Sequence, residues 1–418
     1  MVPSQTLLHA FGLPFEERLE YRSWVTPKTS RQKPIHRWCV FPHSFTAELV
    51  YGLIDQWRLT KNDSILDPFC GSGTTILSAK EKGVPAAGYD LSPYAVFVSK
   101  VKIANYNLTN LKKAWKVLSG RIGSLMCRTS EGSYPELITK ALPGSLLSSF
   151  AALDLGIKEL ECDPENRDFF RMALLSILQQ YSSAVASGGW LKWEQNMSHF
   201  SAVPKSLRER VRQMLDDLSQ MASSHEDKWK VEVADVRALP NSDNLYSAVI
   251  TSPPYPNRHD YTRIFGVELM FGFLDWEQTR RLRHESFCSH PEARLNRSAP
   301  ENYNLPDSLV TPLKVLSQKK IDPRIVRMLR GYFLDIYLCL MELKRTCRRA
   351  ANIALVLGNV QYEGVPIPVD EITAEIGQQI GLDLTRIVVT RYRGNSAQQM
   401  GKYQRQPSRE SIVCFRTR

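Results

Sequence analysis

The sequence lacks the cysteine pattern of disulfide-linked and zinc-binding proteins. Its eight cysteines are scattered, and none of them forms a Cys-x-x-Cys pair. This argues against a disulfide framework or a zinc ribbon and is typical of a protein kept in a reducing compartment. Cys288 and His290 lie close together, but two candidate ligands without a second pair do not predict a metal site. We therefore expect no metal.

Long apolar runs are also missing. No stretch approaches the roughly 20 apolar residues that a membrane-spanning helix needs. The N-terminus has no charged segment followed by an apolar one, which is the pattern of a signal peptide. We expect a cytoplasmic protein with no membrane partner.

The composition indicates a folded protein with a polyanionic partner. The chain has 418 residues, of which 43% are hydrophobic, enough for one large domain or two ordinary ones. Lys and Arg number 54 against 43 Asp and Glu, which gives a net charge of +11. A positive balance of this size favours nucleic acid as the partner.

A glycine-rich loop joins an apolar run to a helical pattern between Ser64 and Thr75. The segment reads Ser-Ile-Leu-Asp-Pro-Phe-Cys-Gly-Ser-Gly-Thr-Thr. Strand, tight loop and helix in this order are typical of the first turn of a nucleotide-binding α/β sheet. The glycines permit positive φ and close backbone approach, and the helix start offers free N–H groups. Neither Gly-x-Gly-x-x-Gly nor Gly-Lys-Ser/Thr occurs in it, so dinucleotide and phosphate loops fit poorly.

The loop resembles the S-adenosylmethionine loop of DNA amino-methyltransferases, nearly letter for letter. That resemblance implies a cofactor site made of Asp67, Pro68, Phe69, Gly71, Ser72, Gly73 and Thr74. The His/Pro/Phe stretch just before it is similar to the family segment that closes over the methionine end of the cofactor. His43 and Phe45 are the matching positions, and a plain helix start is the alternative for each of them.

Acidic residues end the next predicted strands. Asp90 ends the strand Ala86–Leu91, about 20 residues after the glycines, the position from which a carboxylate reaches the ribose hydroxyls of a nucleoside. Its alternative role is to cap the next helix. Asp235 ends the predicted strand Trp229–Val236. We include both residues in the cofactor site.

A second motif, Thr251-Ser252-Pro253-Pro254-Tyr255, follows the predicted strand Tyr246–Ile250. Ligands of open α/β sheets bind at the carboxyl ends of the strands, so this motif and the glycine loop can face one cleft. An exocyclic amino group is a poor nucleophile because its lone pair is delocalised into the ring. Acceptors on Ser252 and Pro253 can release that lone pair, the prolines hold the carbonyl in place, and Tyr255 offers a face for stacking a flipped base.

The second motif resembles Asp/Asn/Ser-Pro-Pro-Tyr/Phe of the amino-methyltransferases, and a plain Pro-Pro turn is the alternative. We assign catalytic roles to Ser252, Pro253, Pro254 and Tyr255. The chain contains no Pro-Cys dipeptide, so the covalent cysteine mechanism of carbon-5 methylation has no nucleophile in its usual setting. In the cytosine-N4 enzymes the usual order of the two motifs is the reverse of the order here.

These patterns predict an α/β fold: a Rossmann-like class I methyltransferase sheet with helices on both faces and a largely helical insertion. The predicted parts are an N-terminal arm (1–33), a catalytic domain (34–100 and 231–418), a helical insertion expected to contact DNA (101–230), and a second insertion inside the catalytic domain expected to read the target (256–325).

The function that the resemblance implies is S-adenosylmethionine-dependent methylation of an amino group in double-stranded DNA. Ser252 favours cytosine N4, in a restriction-modification or defence setting, with a cognate restriction endonuclease or defence-system subunits as partners. Adenine-N6 methylation is the first alternative. Methylation of RNA or of a protein glutamine and a non-catalytic basic DNA-binding role remain as the others.

Overall fold

The computed structural model describes residues 12–127, 133–187, 190–194, 202–220, 228–294, 297–393 and 407–418. The strands in these residues are β1 (Phe15–Glu17), β2 (Ile65–Asp67), β3 (Ala86–Asp90), β4 (Ala184–Ser187), β5 (Trp190–Trp193), β6 (Trp229–Val233), β7 (Tyr246–Thr251), β8 (Cys347–Gly358), β9 (Val360–Tyr362), β10 (Val365–Ile367), β11 (Asp383–Arg393) and β12 (Ser408–Arg416).

The α-helices in the same residues divide between the sheet and the insertions. They are α1 (Ala47–Trp57), α2 (Thr74–Glu81), α3 (Pro93–Ile103), α4 (Leu108–Leu125), α5 (Glu136–Ala141), α6 (Ser145–Lys158), α7 (Pro164–Tyr181), α8 (Val203–Ser219), α9 (Tyr261–Ile264), α10 (Gly266–Gly272), α11 (Trp276–Glu285), α12 (Asp307–Ser317), α13 (Pro323–Thr346) and α14 (Val369–Gln379).

A mixed sheet in the order β1-β11-β12-β8-β7-β2-β3-β6 forms the centre of the fold. Strands β8, β7, β2, β3 and β6 are parallel to one another. Strand β12 runs antiparallel to both of its neighbours. This is the Rossmann-like sheet of class I methyltransferases that the sequence predicts. The carboxyl ends of the parallel strands meet at one edge, where both sequence motifs emerge.

Two cores cover the two faces of this sheet, because successive residues of a strand point to opposite faces. Ile65 of β2 belongs to the core that contains the apolar residues of α1, α2 and α3. Its neighbour Leu66 belongs to the core that contains those of α12, α13 and α14. Both side chains are fully buried. The apolar run of β2 therefore reflects burial on both faces of the sheet.

The helical insertion packs against the second insertion. Helix α10, which lies in 256–325, contacts α5 and α7 of 101–230. Phe271 of α10 stacks on Tyr134 with ring centroids 5.6 Å apart and meets Phe150 edge-on at 6.2 Å. The polar, proline-dotted segment 256–325 thus contains the helices α9 to α12. Apolar residues of α10 pack toward the neighbouring insertion, whereas those of α12 belong to the core formed with α13 and α14.

A buried carboxylate joins the helical insertion to the segment that precedes the glycine loop. Asp217 of α8 has no exposed surface. It accepts hydrogen bonds from the Ile35 amide at 3.1 Å, the Arg37 guanidinium Nε at 3.0 Å and the Trp38 indole at 2.9 Å. A buried charge is tolerated when it is paired and fully hydrogen-bonded, as it is here. The insertion is therefore tied to the chain directly upstream of His43.

The predicted N-terminal arm contributes a strand to the sheet. Within 1–33, Phe15–Glu17 pairs in parallel with Ile387–Val389 of β11. Arg386 of β11 reaches the Glu16 carboxylate at 3.3 Å. A strand of this length has too few residues for an alternating pattern to stand out in the sequence. Its position at the edge depends on a partner strand more than 300 residues away.

Membrane-spanning helices, metal-binding clusters and disulfides are absent from the residues that the structure describes. Among the described helices, none combines the length and apolar character needed to cross a bilayer. The described residues also contain no group of three or more His, Cys, Asp or Glu side chains placed to hold a metal ion. The eight cysteines are all free thiols.

Candidate active site

The glycine loop lies at the carboxyl end of β2 and leads directly into α2. Gly71 and Gly73 have φ angles of +49° and +79°, a region that other residues seldom adopt. A Cβ on Gly73 would lie 2.7 Å from the Ser99 hydroxyl, so space also requires glycine there. The Cys70 amide donates to the Tyr89 carbonyl at 2.9 Å and ties the loop to β3. Neighbouring strands and helices therefore hold the loop in one shape.

Asp67 connects the two motifs beneath the cleft. Its carboxylate accepts from the Thr251 hydroxyl at 2.6 Å and from the Phe69 amide at 3.2 Å. Burial raises the pKa of Asp67 to about 6, against the effect of these donors. Because Thr251 directly precedes Ser252, this contact sets the position of one motif relative to the other.

Asp90 sits at the carboxyl end of β3, next to the glycine loop. One carboxylate oxygen accepts from the Gly71 amide at 3.0 Å, and the other accepts from the Ser92 amide at 2.8 Å. Burial raises the pKa of Asp90, and the backbone donors act in the opposite direction. Each oxygen keeps acceptor capacity, because a carboxylate oxygen has two lone pairs. The alternative role as a helix cap is filled by Ser92, whose hydroxyl accepts from the Ala95 amide.

Asp235 lies just beyond β6 and is already paired. Its carboxylate forms ion pairs with Arg237 at 2.9 Å and Arg297 at 2.6 Å. Burial acts to raise the pKa of Asp235, but the hydrogen bonds and charge of Arg237, together with the charge of Arg297, lower it overall. Asp235 lines the cleft, yet it has less free acceptor capacity than Asp90.

Ser252 and the two prolines stand at the carboxyl end of β7. The Ser252 hydroxyl donates to the Val356 carbonyl of β8 at 3.1 Å. Because its only proton is engaged there, the lone pairs of Oγ remain as acceptors. Ser252, Pro253 and Pro254 all line the cleft. The motif therefore presents acceptors to a ligand rather than donors.

Tyr255 is held by a residue from the far end of the chain. Its hydroxyl donates to the Glu410 carboxylate of β12 at 3.0 Å. Burial raises the pKa of Tyr255, and the adjacent negative charge of Glu410 acts in the same direction. The ring is 8% exposed and lines the cleft. It is therefore a fixed, neutral aromatic surface.

His43 and Phe45, from the segment before α1, also line the cleft. The His43 ring stacks on His259, which follows the second motif, with centroids 4.5 Å apart. Burial, followed by the charges of His259, Arg393 and Arg391, lowers the pKa of His43 to about 4. This imidazole is therefore neutral at physiological pH.

One cleft collects the predicted site. It encloses about 1300 Å³, including the part open to solvent. The residues predicted from the sequence that line it are His43, Phe45, Asp67, Pro68, Phe69, Gly71, Ser72, Thr74, Asp90, Asp235, Ser252, Pro253, Pro254 and Tyr255. Gly73 does not line the cleft; its backbone conformation shapes the glycine loop. Phe69 meets Phe287 edge-on at 5.4 Å, which brings the second insertion against the glycine loop.

Several residues in and around the site were not predicted. Lys102 of α3 is buried and donates to the carbonyls of Cys39, at 2.6 Å, and Ser72, at 2.9 Å. Burial lowers the pKa of Lys102 to about 8. Lys102 stands between Val101 and Ile103 and interrupts the apolar residues of the helix. That interruption is a sequence signal that could have identified Lys102. Glu410 gave no comparable signal, because it lies in the polar first part of β12, before the apolar residues, as an ordinary polar residue.

The chain is similar in sequence to known DNA methyltransferases. A family model described as DNA methylase matches residues 16–100. The type II methyltransferase M.BsoBI of Geobacillus stearothermophilus is 30% identical over 94% of this chain and 88% of its own length. The type II methyltransferase M.AvaI of Nostoc sp. is 26% identical over 94% of this chain and 89% of its own length. The type II methyltransferase M.MjaII of Methanocaldococcus jannaschii is 30% identical over 24% of this chain and 20% of its own length.

Proposed function

The chain belongs to the DNA amino-methyltransferase family, and on that premise we propose that it methylates the N4 nitrogen of a cytosine flipped out of double-stranded DNA. S-adenosylmethionine is the methyl donor and DNA the substrate of this family. The relatives that match nearly the whole chain are type II methyltransferases. We therefore place the activity in a restriction-modification system and propose a cognate endonuclease as the functional partner.

The cleft has the donors and acceptors that S-adenosylmethionine requires. In this proposal Asp90 holds the ribose hydroxyls, and the backbone of Gly71, Ser72 and Thr74 surrounds the cofactor. The positive φ angles of the glycines and the free N–H groups at the start of α2 suit a polar ligand there. Once bound, the cofactor supplies an electrophilic methyl group on a positively charged sulfur. Phe69 offers an aromatic face near that charge.

Ser252 and Pro253 prepare the base amino group. We assign the amino hydrogens to the Ser252 Oγ atom and the Pro253 carbonyl. Accepting them lets the nitrogen become pyramidal and frees its lone pair from the ring. The hydrogen bond from Ser252 to the Val356 carbonyl is the observation that carries this assignment, because it leaves Oγ as an acceptor. Two successive prolines fix the backbone that presents the carbonyl.

Tyr255 receives the flipped base. A base leaves the helix at a cost of a few kcal/mol, which stacking in the enzyme offsets. The ring of Tyr255 is anchored by Glu410, so it does not have to be ordered when the base arrives. Holding the reacting groups in a productive arrangement contributes most of the rate of such a transfer.

The target base is the finer part of the proposal. Ser252 stands where Asp or Asn stands in other forms of the motif, and serine is the form that resembles cytosine-N4 enzymes. A hydroxyl is neutral and can pair with the edge of the smaller ring, whereas an aspartate would be charged and would only accept. Adenine N6 is the competing target.

The experiment that tests the function identifies the methylated nucleoside directly. The protein is expressed in a methylation-free host, and the host DNA is digested to nucleosides for mass spectrometry. We expect N4-methyldeoxycytidine, and we expect it to vanish in Ser252→Ala while cofactor binding persists. N6-methyladenine would overturn the base assignment and keep the chemistry. Methylated RNA with unmodified DNA would overturn the DNA substrate.

A DNA-binding face is proposed on α8. Arg208 and Arg212 are exposed and, being four residues apart, share one face of the helix. Arg210 is only partly exposed and bonds Gln213 at 2.6 Å, so it does not belong to that face. Reversing Arg208 and Arg212 to Glu should flatten the salt dependence of DNA binding, by up to about two in the slope of log affinity against log salt concentration.

The control is a second pair of exposed arginines at the opposite edge of the sheet. Arg416 ends β12 beside the amino-terminal half of β8, away from both motifs, and Arg418 lies two residues beyond it. Changing them to Glu alters the net charge equally and should leave the slope nearly unchanged. Equal slopes for wild type and the Arg208/Arg212 variant would move the DNA contact to another surface.

A further inference from the structure

A second, smaller cavity opens beside the Ser-Pro-Pro-Tyr motif. It encloses about 300 Å³ including its open side, and Ser252, Tyr255, His43 and Phe45 line it together with the last strands of the sheet. Those strands contribute Arg391 and Arg393 of β11 and Glu410 of β12, here called the arginine corner. The four residues named first also line the main cleft. The arginine corner therefore lies next to the place where the base amino group is assigned.

The arginine corner carries positive charge beyond what its carboxylate pairs. Glu410 is nearly buried and accepts from Tyr255, from Arg391 and, at 3.2 Å, from Nη2 of Arg393. One carboxylate thus faces two guanidinium groups. Within the described residues, the Nε of Arg393 is buried and has no hydrogen-bond partner. Buried donors without a partner are rare in native structures and call for an explanation such as a ligand.

Gly358 makes room for Arg393 beside the catalytic tyrosine. A Cβ on Gly358 would lie 2.2 Å from Nη2 of Arg393 and 2.7 Å from the Tyr255 ring. The guanidinium carbon of Arg393 is 5.5 Å from the centroid of that ring. Any larger residue at 358 would push the arginine or the tyrosine out of place. The guanidinium is therefore held against Tyr255 by the shape of the strands.

The imidazoles nearby do not add charge. Burial is the main cause that lowers the pKa values of His43 and His259, and the positive charge of Arg393 lowers them further. Both rings are consequently neutral at physiological pH. The excess positive charge of this corner belongs to the arginines, and it suits an electron-rich edge of a ligand.

We propose that Arg393 binds the 2-carbonyl oxygen of the flipped cytosine and thereby selects cytosine over adenine. This inference rests on the proposed function. On the Watson–Crick edge of cytosine, the amino group, the ring nitrogen and the 2-carbonyl oxygen follow one another. With the amino group at Ser252, adenine would place a C–H where cytosine has that oxygen. An arginine donor facing a C–H stays unpaired, which is how a site rejects a ligand that lacks an acceptor.

The test removes the arginine donors and the carbonyl oxygen separately and together. The recognition sequence is first mapped from methylated cytosines in the host DNA. Synthetic duplexes then carry at the target either cytosine or an aminopyridine C-nucleoside, which keeps the amino group and the adjacent ring nitrogen but lacks the 2-carbonyl oxygen. Single-turnover methylation is measured for wild type, Arg393→Met and Arg386→Met. Arg386 is a matched control, because it is on the same strand, is also paired with a glutamate, and has a side-chain exposure of 32% against 31% for Arg393.

Wild type and Arg386→Met should both lose about 10- to 100-fold in rate on the analogue, the effect of one hydrogen bond from a charged donor. Arg393→Met should show the same loss on cytosine and almost no further loss on the analogue. Its cofactor affinity, measured by calorimetry, should stay near wild type. If that affinity is lost, Arg393→Met combined with Glu410→Gln, which removes the arginine donors together with the charge that they pair, replaces it, and the same lack of a further loss is expected.

Losses that multiply would overturn the inference, because they would mean that the arginine and the oxygen act independently. The inference would also be overturned if the slope of log DNA affinity against log salt concentration were smaller by about one in Arg393→Met than in wild type. A decrease of that size is the sign of a lost phosphate contact. Failure of the proposed function looks different: wild type would then yield N6-methyladenine in the host DNA.

Discussion

Tyr255→Ala is expected to reduce the single-turnover rate of DNA methylation by at least about 100-fold. Stacking of a base on an aromatic ring contributes about 1–3 kcal/mol. The substitution also removes the alignment of the base, which has a large effect on a transfer reaction. Arg393 and Glu410 hold the Tyr255 ring in place, so the substitution removes a fixed stacking surface. The measurement is quench-flow methylation of host DNA with saturating cofactor.

Tyr255→Phe is the matched variant for this prediction. It keeps the ring and loses the hydroxyl that donates to Glu410 at 3.0 Å. We expect a loss of about tenfold or less, since a single hydrogen bond is removed and stacking remains. Cofactor affinity should stay near wild type in both variants. A rate for Tyr255→Ala close to that of wild type would exclude Tyr255 as the base-stacking residue.

Asp90→Ala is expected to weaken S-adenosylmethionine binding by about 10- to 100-fold, because hydrogen bonds to a charged group contribute about 1.5–3 kcal/mol. The variant loses the acceptor assigned to the ribose hydroxyls. It also loses the hydrogen bonds that hold the Gly71 and Ser92 amides, so the glycine loop is less well ordered. Isothermal titration calorimetry with S-adenosylmethionine measures the effect.

Two controls separate these contributions. Asp90→Asn keeps an oxygen acceptor for a backbone amide and removes the charge, so its affinity should fall between those of wild type and Asp90→Ala. Asp55 is exposed and pairs with Lys82 at 2.9 Å on the surface, so Asp55→Ala should bind the cofactor normally. Equal affinities of wild type and Asp90→Ala would remove Asp90 from the cofactor site.

The sheet and the two motif loops could be read from the sequence because their signals are local. Asp67, the glycines and Thr74 lie within a few residues of one another, and the strand before them is a short apolar run. The same holds for Ser252 to Tyr255 at the end of β7. Parallel strands place their carboxyl ends at one edge, so a local reading of each strand also predicted that the motifs share a cleft. The structure brings all of the predicted residues except Gly73 to the surface of that cleft.

Other parts of the site depend on contacts between residues far apart in the chain. Glu410 reaches Tyr255 across 155 positions, and Asp217 reaches Ile35 across 182. In the sequence each of these acids looks like an ordinary polar residue. The pairing of β12 with β8 and β11 puts Glu410 and Arg393 beside Tyr255.

The sequence by itself therefore determined the fold class and the placement of the glycine loop and the Ser-Pro-Pro-Tyr motif at strand ends, because dihedral preference and hydrophobic period act over short stretches. Only the tertiary structure decided which polar residues surround Tyr255, how the insertions pack together, and that 15–17 joins the sheet. Those outcomes follow from strand register and side-chain burial, which depend on partners hundreds of residues away.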